Sequence, residues 1–418
     1  MKVLGIVVEY NPFHNGHLHH IEKSKELTGA DFVVAVMSGN FVQRGNPAFM
    51  DKWERTKMAL NNHVDLVIEL PVIYATSSAE DFAFGAVSIL HNLNIVNYIC
   101  FGSESGNINL LKNIADILTN ESYDYKLMLK QELDNGSTYP VARSNALYKY
   151  ITSKNLLNVS EDVLRDVLSS SNNILGIEYL KALNKLNSPI KPYTIQRESS
   201  DYNDEDIIEN FSSATSIRKA INEGNMWQAK NNMPDYNFDI LKEAIDKGTC
   251  PINIDSFSKL FHFELSKLNN AELSQILGMN EGIENRIRKI AEDNFCLSDI
   301  AMKTKTKRYT LTHINRLLIH TLLGLKRQDI ETFNTSGGPS YSRILGFNKN
   351  GELLLSQLKL VSKLKILTNP KNYLDVLSSE GIKMFNQEIN ATNIYNLCLP
   401  DSSNYKYNAE FKNSIIKS

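Results

Sequence analysis

The sequence predicts an α/β fold, a doubly wound parallel sheet with a helical insertion and a mainly helical second half. Three observations carry this reading. Four short apolar runs in the first hundred residues alternate with segments of helical periodicity. A purely helical pattern then runs from about 107 to 188, before one more strand-like run. Beyond about 230 the alternation stops.

The first run, Val3 to Val8, reads as a buried strand. A loop with Pro12 follows, then His14-Asn15-Gly16-His17, then a helix with Leu18, Ile21 and Leu27 at helical spacing. DFVVAVMSG reads as the second strand, and NFVQRGNPAF as a Gly-, Pro- and Asn-rich loop. Asp51 caps the next helix, which turns Trp53, Met58 and Leu60 toward a core. VDLVIELP is the third strand. Ser77 and Glu80 then have capping-box spacing ahead of a helix through Phe82, Val87 and Leu90. Tyr98 to Phe101 is a fourth strand, followed by Gly102-Ser103-Glu104. KPYTIQR (191–197) is the fifth, and EDIIENFSSATSIRKAINEG a loop leading into a helix. The expected division is 1–228, with the insertion at about 107–188, and 229–418, with a short strand or two near 342–368.

Strands alternating with helices imply right-handed crossovers, and ligands in such sheets sit beyond the carboxyl ends of the strands. The loops at 10–17, 38–50, 71–76 and 102–106 are therefore expected to line one crevice. Within it, strand, loop and helix start present backbone N–H groups and a helix dipole to an anion. Gly16 removes a side chain where a ligand must come close. His14 and His17, three apart, can both donate to phosphate oxygens.

At 418 residues, with 42% hydrophobic and 22% charged, the chain has an ordinary globular composition with material for two domains. A net charge of −2 excludes global attraction to nucleic acid. Cys100, Cys250, Cys296 and Cys398 form no CxxC pair, which speaks against a disulfide scaffold or structural zinc. No run of about 18 apolar residues exists, and the amino terminus makes a poor signal peptide, so a cytoplasmic protein without a membrane partner is expected.

One stretch breaks the charge balance. Residues 303–327 carry seven Lys or Arg and no Asp or Glu, with Tyr309, His313 and His320 among them. Lys303, Lys305, Lys307, Arg308 and Arg316, with Arg286 and Arg288 nearby, suit an RNA backbone and an unstacked base, DNA not being expected. The bland alternative is a solvated face of a helix whose other side is Ile314, Leu317, Leu318 and Leu322. Arg55 and Lys57 likewise read either as solvated helix charges or as facing phosphate. Asn172 and Asn173 read as a helix cap or an adenine-facing amide, Arg197 as a strand end on the ligand side, and His19 and His20 as facing solvent or packing against the helix.

Tyr10-Asn11-Pro12-Phe13-His14-Asn15-Gly16-His17 resembles the HxGH motif of the nucleotidylyltransferase superfamily, F-D-P-x-H-x-G-H, with Asn11 in place of Asp. Ser213-Ala214-Thr215-Ser216-Ile217-Arg218 resembles its second motif, S-S-T-x-I-R, although Ser213 also has the character of a plain helix cap. Arg55 matches a looser third element. These motifs imply an HxGH nucleotidylyltransferase-like Rossmann domain. His14 and His17 would meet charge developing at the α-phosphate, while Thr215, Ser216 and Arg218 hold the β- and γ-phosphates.

With MSGNFVQRG, FGSE, NNILGIEYLKAL, TKRYT and YSRILGFNKNG added, the chain resembles the bacterial tRNA(Met) cytidine acetate ligase family from residue 1 to about 370. The resemblance implies an enzyme that forms acetyl-adenylate from acetate and ATP, with Mg²⁺ accompanying the triphosphate. The acetyl group then passes to the wobble cytidine of elongator tRNA(Met). It implies ATP contacts at residues 7–20 (Val7, Val8, Glu9, Tyr10, Asn11, Pro12, Phe13, His14, Asn15, Gly16, His17, Leu18, His19 and His20), and at Gly102, Asn172 or Asn173, and Arg197. The MSGNFVQRG loop is expected to close over the acetate pocket. A nucleotidylyltransferase making a small cofactor precursor and a noncatalytic tRNA-binding protein are the alternatives.

Overall fold

The structure, a computed structural model, describes residues 1–137, 139–157, 159–197 and 213–418. Ten strands occur among them: β1 Val3–Val8, β2 Phe32–Ser38, β3 Phe41–Val42, β4 Asn46–Pro47, β5 Leu66–Leu70, β6 Tyr98–Ser103, β7 Lys191–Gln196, β8 Tyr341–Phe347, β9 Lys365–Leu367 and β10 Ile416–Lys417. The five strands expected from the apolar runs form the parallel sequence β5-β2-β1-β6-β7. The chain steps outward from β1 on one side and returns to build the other, so the switch point lies between β1 and β6. Alternation along β2 shows both faces covered. Val34 and Val36 enter one core, whereas Val33, Ala35 and Met37 enter the other.

The sheet does not stop at residue 228. β8 joins β5 antiparallel, and β9 and β10 each pair parallel with β8. The strands near 342–368, with β10 at the carboxy terminus, thus extend the sheet of the first half, and the rest of 229–418 is mainly helical. Five helices, Ile108–Thr119, Tyr123–Asp134, Tyr139–Lys154, Glu161–Ser169 and Ser171–Lys185, fill the expected insertion. Up to residue 212, the loop expected ahead of the Ala214–Asn222 helix lies outside the described residues.

Two local expectations are corrected. Leu27 is 51% exposed, because the inward stripe of the Asn15–Thr28 helix is Ile21, Ser24 and Thr28. The Ala79–Asn92 helix is capped by Ser78, which accepts from the Asp81 N–H at 3.2 Å, and not by Ser77. Asp51 caps the Lys52–Leu60 helix as expected, accepting from the Glu54 N–H. Among the described residues no helix is long and apolar enough to cross a membrane.

The return of the carboxy-terminal half is fastened by a buried ionic cluster. Lys52 lies against Glu69 on β5, Glu410 and, at 4.0 Å, Glu388. Arg343 on β8 stands 4.0 Å from Glu410. All five side chains are at most 2% exposed. Three carboxylates face two cations, and burial together with the Glu69 charge pushes the Glu388 carboxyl well above its usual range, against Lys52. Removing the ammonium leaves Arg343 alone against three buried carboxyl groups. Lys52→Met is expected to lower unfolding free energy by about 3–5 kcal/mol in urea titration; a loss below about 1 kcal/mol would show that the cluster does not hold the halves together.

Candidate active site

The loop after β1 is organised by its two histidines. His14 is the N-cap of the Asn15–Thr28 helix, and its Nδ1 accepts the Gly16 N–H at 3.1 Å. The His14 N–H donates in turn to Nδ1 of His17 at 3.2 Å, closing a capping box built from imidazoles. A nitrogen that accepts a backbone N–H carries no proton, so each neutral ring is assigned its proton on Nε2. The rings stack with centroids 3.7 Å apart and planes 30° from parallel. Tyr10 and Phe13, both buried, close around His17 with centroids 5.0 and 5.5 Å from it. Tyr10 holds φ at +49°, a left-handed conformation that its ring packing sustains.

Burial, aided by the charges of Arg197 and Arg218, lowers the His14 pKa to about 4. Burial and the adjoining His14 hold His17 well below its ordinary value. Both rings are therefore neutral donors at pH 7. The expectation that the helix start offers backbone N–H groups is corrected, because those groups are taken. Asn15 N donates to Asn232 O at 3.0 Å and Asn15 Nδ2 to Asn231 O at 3.3 Å, while His17 N reaches His14 O at 2.8 Å. Asn15 is thus a brace. Leu18 packs on the core below, and Val7 and Val8 end β1 opposite Val36 and Met37. His19 is half-buried. His20 turns away from solvent, with Nε2 shielded and its pKa lowered to about 4 by burial and Arg197.

The second motif meets the first. Arg218 donates to the Asn11 carbonyl at 2.6 Å across 207 positions of sequence, and to Thr215 Oγ1 at 3.1 Å. Asn11 Oδ1 accepts the Phe49 N–H at 2.7 Å, which ties Pro12 and its neighbours to the next loop. Ser213 is a cap, accepting from Ser216 N at 3.2 Å, and Ser216 Oγ folds back on Ser213 O at 2.8 Å. The cap reading holds for Ser213; Thr215 braces the arginine.

Arg55 fits neither reading. It is fully buried and donates to the carbonyls of Glu9 at 2.6 Å, Ser38 at 3.0 Å, Met50 at 3.1 Å and Gly39. It joins the carboxyl ends of β1 and β2 beneath the site and faces no phosphate. Lys57 pairs on the surface with Glu54 at 2.8 Å. Above this floor Glu9 Oε1 accepts the Gln43 N–H at 2.8 Å. Burial raises the Glu9 pKa, opposed by that hydrogen bond and by Arg55, Arg44 and Arg218. Arg44 was not singled out by its spacing; only its place in the 38–50 loop pointed to it. That loop is not a free lid, since Phe41 is buried against Phe257 and Tyr395, with centroids 5.6 and 6.0 Å away.

On the far side, Arg197 is exposed and its N–H donates to Ser103 O at 2.8 Å. Its stem crosses Gly102, where a Cβ would lie 3.1 Å from Arg197 Cγ. Glu104 caps the Ser171–Lys185 helix, accepting from Asn172 N at 3.1 Å, Asn172 Nδ2 at 2.8 Å and Asn173 N at 2.8 Å. Against the effect of burial, these bonds keep its carboxyl below the usual range. Asn173 is buried and its Oδ1 receives Ser105 N at 3.1 Å, whereas Asn172 is half-buried. Neutral imidazole N–H groups and the guanidiniums of Arg197 and Arg218 thus converge, an arrangement for a polyphosphate.

Residues 1–410 match the HIGH Nucleotidyl Transferase family. Over 420 residues the chain is 44% identical to the tRNA(Met) cytidine acetate ligase of Acetivibrio thermocellus, with all of both chains covered. The Clostridium perfringens ligase is 45% identical over 418 residues, covering 100% of this chain and 99% of its own. The chain belongs to the tRNA(Met) cytidine acetate ligase family. Among solved structures of the family, Thermotoga maritima TmcAL bound with alpha-thio ATP is similar at a TM-score of 0.93 and 36% identity, covering 100% of this chain and 99% of its own. Its apo form gives 0.94 at the same identity and coverage.

In this ligase fold only residues 305–310 of the basic stretch form the turn between the Leu297–Thr304 and Leu311–Leu323 helices. Lys305, Lys307 and Arg308 are exposed there, Lys303 is exposed on the first helix, and Arg316 is half-buried on the second. Ile314, Leu317, Leu318 and Leu322 are buried as expected. Lys303 meets Asn294 Oδ1, and Arg308 and Tyr309 share Glu281. Arg286 closes the end of one helix by donating to Lys303 O at 2.9 Å and Thr304 O at 3.0 Å. Arg288 reaches Leu268 O at 2.7 Å and Leu265 O at 3.4 Å. These two arginines are first of all helix closures, which the charge pattern did not reveal.

The lowered histidine values set a pH window. An unfolded imidazole binds a proton near pH 6.5, before the folded His14 does at about 4. Stability is therefore full above about pH 6.5 and falls as pH drops toward 4, by on the order of 3 kcal/mol for one such ring. Urea midpoints at pH 7.5, 6 and 5 should fall in that order, and pyrophosphate exchange should show no acid limb centred near 6.5. A limb centred there would mean that imidazolium forms are the working ones.

Proposed function

We propose that the chain joins acetate to tRNA(Met) in two steps at this one nucleotide site. The observation that carries the reading is the contact of Arg218 with the Asn11 carbonyl, beside two Nε2–H donors. An acetate oxygen attacks the α-phosphorus of ATP, the bond to pyrophosphate breaks, and acetyl-adenylate forms. The exocyclic amine of the wobble cytidine in elongator tRNA(Met) then attacks the acyl carbon. The bond to AMP breaks, the amine proton departs, and acetylcytidine remains.

Each residue has a task in this scheme. His14 and His17 donate to oxygens of the reacting phosphoryl group, where charge develops. Arg218 and Arg197 pair with phosphate oxygens from opposite sides, and Asn172 is assigned the base amide. Arg55 keeps the ends of β1 and β2 at fixed spacing, which matters because acetate is a poor nucleophile and depends on positioning. Magnesium is assigned to the triphosphate it accompanies. Its chemistry there is charge neutralisation. Adenylation is assigned to residues 1–228, and tRNA binding chiefly to the exposed Lys303, Lys305, Lys307 and Arg308 of 229–418.

Two variants test the reading together. His17→Ala should lower acetate-dependent ATP–pyrophosphate exchange by about 10²–10³-fold and leave tRNA(Met) binding intact. Replacing Lys305, Lys307 and Arg308 by Gln should do the reverse, weakening tRNA binding and flattening its log–log salt slope by about 2. Exchange that does not depend on acetate, or equal loss of both activities in either variant, would overturn it.

A further inference from the structure

Arg44 stands in the turn between β3 and β4, and two neighbours fix that turn. Gln43 N donates to Glu9 Oε1 at 2.8 Å, at the end of β1, and Gln43 Nε2 donates to Ser77 O at 3.2 Å. Gly45, at φ +73°, lies so close to the Leu311–Leu323 helix that a Cβ would sit 2.2 Å from Arg316 N and 2.5 Å from Asn315 C. Only glycine meets both the backbone angle and the gap. The same helix is tied to the neighbouring loop through His320, whose ring nitrogens lie 2.8 Å from Leu277 O and 3.0 Å from Thr76 O. The turn is thus triangulated between β1, the 76–77 segment and the helix.

Arg44 itself is exposed and makes no hydrogen bond or ion pair with any described residue. It is close enough to Glu9 and Arg218 to act on the charge of both. A held backbone carrying a free guanidinium beside a second one favours an anion with more than one charged oxygen.

We propose that Arg44 is a further catalytic residue, which donates to the β- and γ-phosphate oxygens of ATP and to the departing pyrophosphate. The Gly45 seat on the RNA-side helix is what holds it there. The proposal rests on the ATP-using reading above, so the test separates the two. Binding of ATP, AMP and inorganic pyrophosphate to the wild type, Arg44→Gln and Arg44→Lys is measured by calorimetry on the full chain. Acetate-dependent exchange is followed in parallel.

Arg44→Gln should weaken ATP and pyrophosphate about 10- to 100-fold and leave AMP unchanged, with Arg44→Lys recovering part of the loss. Unchanged ATP and pyrophosphate binding, or equal loss of AMP and ATP, overturns it. So does weakened tRNA(Met) binding with normal pyrophosphate affinity, which would make Arg44 an RNA contact. A wild type that binds ATP yet exchanges nothing with acetate would sink the acetate reading, while the calorimetry still decides Arg44.

Discussion

The site depends on where two imidazole protons sit. Nδ1 of His14 and Nδ1 of His17 both accept backbone N–H groups of their own loop, so the loop conformation and the tautomer are one fact. Folding the capping box aims both Nε2–H groups outward, and burial keeps the rings uncharged. A neutral donor stabilises charge that develops in the transition state without binding the ground-state triphosphate as tightly as a cation would. The guanidiniums around the pair bring the permanent charge.

That loop cannot stand alone. Its first carbonyl, on Glu9, is held by Arg55, its third, on Asn11, by Arg218, and its helix start by Asn231 and Asn232. The supporting groups come from two distant parts of the chain, Arg55 and the segment from 218 to 232. The carboxy-terminal half adds more: β8 extends the sheet, Lys52 gathers Glu69, Glu388 and Glu410, and the Leu311–Leu323 helix seats Gly45. The Leu311–Leu323 helix and the loop beside the crevice therefore share a contact, and the sheet strands of the second half lie beside those of the first.

Much of this was legible in the residues. The apolar runs located β1, β2, β5, β6 and β7 because strands buried on both faces are nearly continuous in hydrophobic residues. HNGH and SATSIR brought together the right segments because those motifs carry side-chain chemistry. What escaped was decided by tertiary geometry. Arg55 looked like a helix charge, since nothing local reveals that four carbonyls will converge on it. Arg286 and Arg288 read as RNA contacts, since charge pattern does not tell which helix ends lack a partner. Leu27 and Ser77 failed by small shifts of phase, and β10, two residues long, leaves no periodic trace.

The most direct test is to observe the two rings. With ¹⁵N-labelled histidine, nitrogen shifts of His14 and His17 can be followed from pH 8 to 4.5, with and without a nonhydrolysable ATP analogue. The account predicts the Nε2–H tautomer for both, His14 titrating at about 4 and His17 well below its ordinary range, with the Nε2 protons shifting when the analogue binds. Imidazolium rings titrating near pH 6.5, an Nδ1–H tautomer, or Nε2 signals indifferent to the analogue would contradict it.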